Sequence, residues 1–292
     1  VLSLAVLGCA GRDLPREPTG DPHDLLRTLP HGVTVRELEV ERPDTSMMVW
    51  IYRPPARFSG PLPVVLIGSA GAPLIWGMRL GEGDRAEHMP WADHGYIVVA
   101  YSLDGAVDNP DSERSIQTGI RVFLRAHAGL DDARRALKVA LASEPRADPA
   151  RVYAVGHSSA ATLALRVGVE LPEVKAIVAF SPITDVEARV VSFRQELRAI
   201  DRTAMAILRN SSPMAHVAEL RTKPVFLFHS TTDETVPVAE STRLAEAMQP
   251  LAEGSRVVIV PTGDHYRSML EQGIPAAMAW LDAAAGLTPA PK

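Results

Sequence analysis

The sequence predicts an α/β domain with a mostly parallel central sheet, helices on both faces and a small helical insertion. Three observations carry this. Apolar runs of four to six residues recur at 64–67, 96–101, 152–155, 176–180, 225–228 and 257–260, the pattern of strands buried on both faces. Stretches of helical sequence fall between them, at 115–128, 130–142, 160–170, 238–248 and 275–285, and strands alternating with helices build a doubly wound sheet. The 292 residues, 46% hydrophobic and 22% charged, suit one large globular domain.

Taken in order, 33–40 alternates apolar and polar side chains, as a half-buried edge strand does. Residues 47–53 are its antiparallel partner, stopped by Pro54 and Pro55. The run 64–67 follows, bounded by Pro63 and Gly68, and opens the parallel part of the sheet. From Ile183 to His216 no strand candidate occurs. Two readings of this interval stand: a helical insertion over the C-terminal edge of the sheet, which makes it a candidate lid, or an ordinary crossover helix with long loops. The domain is expected to span 27–286, with a short tail at 287–292.

A net charge of −5 with scattered Lys and Arg gives no reason to expect a nucleic-acid partner. The single cysteine, Cys9, excludes an intrachain disulfide and a thiolate metal cluster. Residues 1–8 are apolar or small, and polar, Pro-rich sequence begins after Ala10. The box Val6-Leu7-Gly8-Cys9 resembles the end of a bacterial lipoprotein signal, although the basic region and initiator Met of a signal peptide are absent. On this reading 1–9 is a partial signal segment that begins within its apolar stretch, and Cys9 is lipidated. Residues 10–26 then form a tether, and the protein is exported and held at the membrane or cell envelope, with secretion as the alternative. The competing reading is an apolar terminus with an incidental cysteine.

Chemistry concentrates at Gly156-His157-Ser158-Ser159-Ala160. A serine centred between small residues, after a strand and before a helix, is a nucleophile elbow: the turn is tight and exposes the hydroxyl at its apex. A serine hydroxyl needs a base, and the base needs an orienting acid. Asp233 lies in the turn after strand 225–228, and His265 follows strand 257–260, so the order is Ser158, Asp233, His265, each after a strand. Asp185, after strand 176–180, is the rival acid. Glu234 and Asp264 read as solvated neighbours, His229 as structural, and His157 as a packing or pocket-shaping residue. His88, His94 and His127 read as surface or helix positions. Donors for the oxyanion are expected from the N–H of Ser159, at the start of its helix, and from the loop Gly68-Ser69-Ala70-Gly71, with Ala70 first and Gly71 second. Trp76, Met78 and Trp91 are either pocket or core.

From about residue 33 to 285 the chain resembles the α/β-hydrolase superfamily. Within it, 148–158, Ser212-Pro213 and 222–230 with Asp233 and Val236-Pro237 resemble the catalytic domain of the prolyl oligopeptidase family and its dienelactone-hydrolase-like and esterase relatives. The resemblance implies Ser158, Asp233 and His265 as the triad. Two departures weaken a peptidase reading: a β-propeller, usual in that peptidase family, has no room in this chain, and the oxyanion loop lacks the His-Gly-Gly of many relatives. Dienelactone hydrolases proper use a cysteine, where this chain has Ser158. The expected activity is therefore cleavage of small carboxylic esters through an acyl-enzyme, without cofactor or metal. The alternatives are a peptidase or amidase of the prolyl oligopeptidase type, and a non-catalytic binding lipoprotein on the same fold.

Overall fold

Every residue of strand β4 (Leu62–Gly68) is buried, which a strand achieves only inside a sheet covered on both faces. The computed structural model describes residues 24–42 and 46–285. Cys9, its apolar box, the tether up to residue 23 and the 287–292 tail lie outside the described residues.

Nine strands form one sheet in the order β1-β2-β3-β5-β4-β6-β7-β8-β9. The first three, β1 (Asp24–Thr28), β2 (Thr34–Glu41) and β3 (Ser46–Arg53), are antiparallel, and β3 joins β5 (Ile97–Tyr101) antiparallel as well. From β5 onward every pairing is parallel, through β4, β6 (Ala147–His157), β7 (Val174–Phe180), β8 (Val225–Ser230) and β9 (Arg256–Val260). Alternate residues of one strand feed opposite layers, as the pleat requires. Val64 and Leu66 pack beneath α3 (Leu130–Ser143), α4 (Ser159–Glu170) and α9 (Ala239–Ala247). Val65 and Ile67 face α1 (Arg85–Asp93) and α10 (Ile274–Ala285).

Two elements depart from expectation. Residues 24–26, assigned to the tether, belong to β1, which is held by its ladder to β2 and not by burial: Leu26 is 64% exposed. An unburied edge strand carries little apolar signal. Helix α1 was not foreseen, because Pro90 lies inside it and interrupts the helical pattern. The predicted helix 115–128 is α2 (Glu113–Arg125), which stops where His127, Ala128 and Gly129 take positive φ and turn the chain into α3.

The stretch between β7 and β8 is helical, with α5 (Val186–Arg189), α6 (Arg194–Ile200), α7 (Ala204–Asn210) and α8 (Val217–Leu220). Ser212 Oγ accepts from the Val186 N–H at 2.9 Å, tying the two ends of the insertion together. Its apolar faces, including Leu197, Met205 and Leu208, join Trp76 and α2 residues Ile116 and Ile120 in a separate cluster. The insertion thus covers the loops that leave β4 and β7. No helix among the described residues is long and apolar enough to cross a membrane.

Candidate active site

Ser158 sits between β6 and α4 with φ 57° and ψ −123°. An L-residue holds such a backbone only where its surroundings impose it, at a cost of about 1–3 kcal/mol. The restraints are visible. Its N–H donates to Phe180 O (2.9 Å) at the end of β7, and its carbonyl accepts from the N–H groups of Ala161 and Thr162. The small residues of the pentapeptide are also explained, since a Cβ on Gly156 would lie 2.3 Å from Ala160 O. The turn closes only on glycine.

Asp233 and His265 are brought together from the loops after β8 and β9. His265 Nδ1 donates to Asp233 Oδ2 at 2.6 Å, and the carboxylate has no exposed surface. Asp233 Oδ1 accepts from the backbone N–H groups of Thr235 and Val236, both at 2.9 Å. Beneath it, His229 Nε2 donates to Val236 O (2.9 Å) and lies 3.4 Å from Asp233 Oδ2, while His229 Nδ1 accepts from Ser241 Oγ at 2.7 Å. This fits a neutral imidazole protonated on Nε2. Burial opposes ionisation of Asp233, yet the hydrogen bonds from His229, His265 and Val236 outweigh it and hold the carboxyl well below the usual carboxylate range.

His265 is therefore fixed with its proton on Nδ1, which leaves Nε2 as the basic atom. That Nε2 is buried and has no hydrogen-bond partner among the described residues. His157, the neighbour of Ser158, packs against His265: the two rings are 4.4 Å apart, and His157 Nε2 donates to the His265 carbonyl at 2.9 Å. Glu87 Oε1 lies 3.8 Å from the other nitrogen of His157. His265 thus rests on the elbow itself.

The loop after β4 is tied to the same turn. Ser69 is anchored by its N–H to Tyr101 O and by its hydroxyl to Arg79 O. Ala72 N–H donates to Ser159 Oγ at 3.0 Å, which commits that donor. Between these anchors lie Ala70 and Gly71, the latter at φ 87°, a conformation open to glycine. The Ser159 N–H heads helix α4, where the first N–H groups have no partner within the helix.

The rival residues have other employment. Asp185 caps α5 by accepting from Ala188 N–H at 2.9 Å. Asp264 caps the turn that carries His265, accepting from Tyr266 and Arg267 N–H. His88 is on helix α1, but it is buried against Tyr52 Oη, and burial together with Arg85 pushes it down to about 3. His94 pairs with Asp282, and His127 with Asp131. Trp91 is core beside Tyr96, Trp76 joins the cluster under the insertion, and Met78 packs on the main core. Sequence reasoning missed the contacts of His229 and His157, since their partners lie on other strands and loops. No group of three or more His, Cys, Asp or Glu side chains among the described residues is arranged to hold a metal ion.

An antiparallel start, a parallel remainder and site loops gathered where the parallel strands end make this an α/β hydrolase. Solved structures share the fold. An acylaminoacyl peptidase from Pyrococcus horikoshii is 17% identical with a TM-score of 0.66, covering 92% of this chain and 43% of its own. An acetyl xylan esterase from Paenibacillus sp. R4 is 18% identical with a TM-score of 0.61, covering 90% and 89%. An esterase from Pyrococcus furiosus is 17% identical with a TM-score of 0.57, covering 86% and 89%. The chain therefore spans about two fifths of the length of the acylaminoacyl peptidase it matches. No curated protein sequence matches it. The model of the prolyl oligopeptidase family matches residues 84–288. The chain belongs to the prolyl oligopeptidase family, and with it to the serine hydrolases.

Proposed function

We propose that this serine hydrolase cleaves carboxylic esters, with Ser158 as nucleophile, His265 as general base and Asp233 as the acid that orients it. The observation that carries the reading is the buried Asp233–His265 pair, whose Nε2 has no partner among the described residues and whose ring packs 4.4 Å from that of His157, the residue before the serine of the strained elbow. As Ser158 Oγ bonds to the ester carbonyl carbon, its proton passes to His265 Nε2. The oxyanion so formed is held by the N–H of Ser159 and an N–H of Ala70 or Gly71. The C–O bond to the leaving alkoxide then breaks, and the alkoxide takes the proton from Nε2. Water, deprotonated by the same nitrogen, attacks the acyl-enzyme and releases the acid, returning the proton to Ser158. Asp233 remains ionised throughout and stabilises the imidazolium.

The choice of ester over peptide is supported by the loop after β4, which reads Gly68-Ser69-Ala70-Gly71 where many relatives have His-Gly-Gly. The decisive experiment pairs 4-nitrophenyl esters with peptide 4-nitroanilides of matched acyl group, in wild type and Ser158→Ala. Turnover of the esters that disappears in Ser158→Ala upholds the reading, whereas turnover of the anilides alone makes the protein a peptidase. Failure of the folded wild type to react with a fluorophosphonate would return it to the binding-module alternative. Attachment at the envelope through a lipidated Cys9 is a separate proposal, read out by mass spectrometry of the N-terminal peptide.

A further inference from the structure

Helix α1 turns a carboxyl group into the core. Glu87 is buried, and Trp91, one turn further on, is buried on the same face. Glutamate is almost never buried without a partner. Both residues border a small space behind the elbow, about 10 Å³ in volume, which admits no more than one water. Phe180, Met269 and Ile274 make its far wall apolar, and among the described residues that line it Glu87 and His157 alone are ionisable.

His157 ends β6 and is followed directly by Ser158. Its Nε2 meets the His265 carbonyl at 2.9 Å. A carbonyl only accepts, so Nε2 carries a proton. The other nitrogen, Nδ1, lies 3.8 Å from Glu87 Oε1, and the two side chains are 5% and 8% exposed. In so dry a setting a bare lone pair next to a carboxylate is unfavourable. One proton between the two groups removes the conflict, as carboxylate with imidazolium or as carboxylic acid with neutral imidazole. Either arrangement is neutral overall and sets no net charge beside His265.

We propose that Glu87 and His157 share one proton as a second acid–imidazole pair, and that this pair positions the base by tying the His265 main chain to the residue before the nucleophile. The proposal rests on the reading of Ser158 and His265 given above. Asp233 restrains the His265 ring at Nδ1 alone, about which the ring can still pivot. His157 adds the second restraint, through the carbonyl and through ring contact at 4.4 Å. A displacement of about 1 Å at a reacting group costs about 10²-fold in rate. Glu87 and His157 are positioning residues, acting through His265.

The test is the rate of labelling by a fluorophosphonate, which needs nucleophile and base but no preference between ester and peptide. His157→Leu should label about tenfold to hundredfold more slowly. His157→Gln, whose amide N–H reaches the place of the Nε2–H, should stay within about threefold of wild type. Glu87→Leu should slow labelling by about threefold to tenfold, and Glu87→Gln, which offers Nδ1 a donor, by less. Because Glu87 acts through His157, the double leucine variant should label no more slowly than His157→Leu. In ester turnover the loss should fall on kcat, with KM unchanged. Wild-type labelling by folded His157→Leu, equal losses in the Leu and Gln variants, or losses that multiply in the double variant overturn the proposal. If His157→Leu does not fold, as judged by circular dichroism, the Glu87 variants decide, and a wild-type rate in Glu87→Leu refutes it. Should folded wild type not label at all, the hydrolase reading falls by itself and proton NMR reads the pair. The His265 Nδ1–H resonance should then exchange with water faster in His157→Leu than in wild type or His157→Gln, and equal exchange in all three refutes the positioning role.

Discussion

Replacing Asp233 by Asn tests the orienting pair with almost no change of shape. All of the groups hydrogen-bonded to the carboxylate are donors: Thr235 and Val236 N–H on Oδ1 and His265 Nδ1 on Oδ2, with His229 Nε2 3.4 Å from Oδ2. An amide offers one oxygen and one NH2. If the oxygen stays on the two backbone N–H groups, the NH2 faces His265 Nδ1, which must become an acceptor. The imidazole then carries its proton on Nε2 and no longer accepts the one from Ser158. A wrong tautomer of this kind costs about 10⁴-fold in kcat, or about 5.4 kcal/mol of barrier. The lost charge-assisted bond should also lower stability by about 1.5–3 kcal/mol. Because the folded carboxyl titrates below its unfolded value of about 3.9, its stabilisation is complete above that pH and is lost as pH falls through the folded value. Asp233→Asn should therefore flatten the acid limb of the stability curve. The assay is ester turnover with parallel urea melts. Retention of kcat within tenfold in Asp233→Asn, with a large loss in Asp185→Asn, would overturn the assignment of the acid.

Three further outcomes follow from the geometry. Ser159→Ala removes the acceptor of the Ala72 N–H and frees the oxyanion loop; kcat for an ester should drop by about fivefold to tenfold, in line with one hydrogen bond, and an unchanged kcat would separate that loop from the chemistry. Gly156→Ala drives a Cβ to 2.3 Å from Ala160 O, so thermal unfolding should show a loss of about 1–3 kcal/mol, together with loss of fluorophosphonate labelling. Asp132 is pushed up to about 7 by burial first and by Asp104 second, against the pull of Arg42. Its folded value exceeds the unfolded one, so its contribution is greatest at low pH and stability should decline as pH rises from about 4 to about 7, by up to about 1.4 kcal/mol per unit. Urea melts across that range should show the decline in wild type and its absence in Asp132→Asn.

What the sequence exposed and what it concealed divide along a physical line. The central strands were legible because burial on both faces forces uninterrupted apolar runs, and β4 is buried at every residue. The pairing of Asp233 with His265 was legible because each follows such a run, and the loops after β8 and β9 meet; the tight turn at Ser158 was legible from its small flanking residues. Edge strand β1 was not, since a ladder of backbone hydrogen bonds leaves no mark on side-chain choice. His229 shows a subtler gap: its place at the end of an apolar strand marked it as structural, and it is wholly buried, but only the fold shows that it touches the Asp233 carboxylate. Arg166 lies furthest from view. With Glu170 four residues on, it has the spacing of a solvated ion pair on a helix surface, and nothing in its neighbours distinguishes it from Arg134, which is such a residue. Packing makes the difference. Helix α4 is buried along almost its whole length, from Ser159 to Gly168, so a side chain that elsewhere would reach water is directed here into a cavity beside the elbow. The same burial that positions the serine thus leaves one cation with an open donor about two helical turns away.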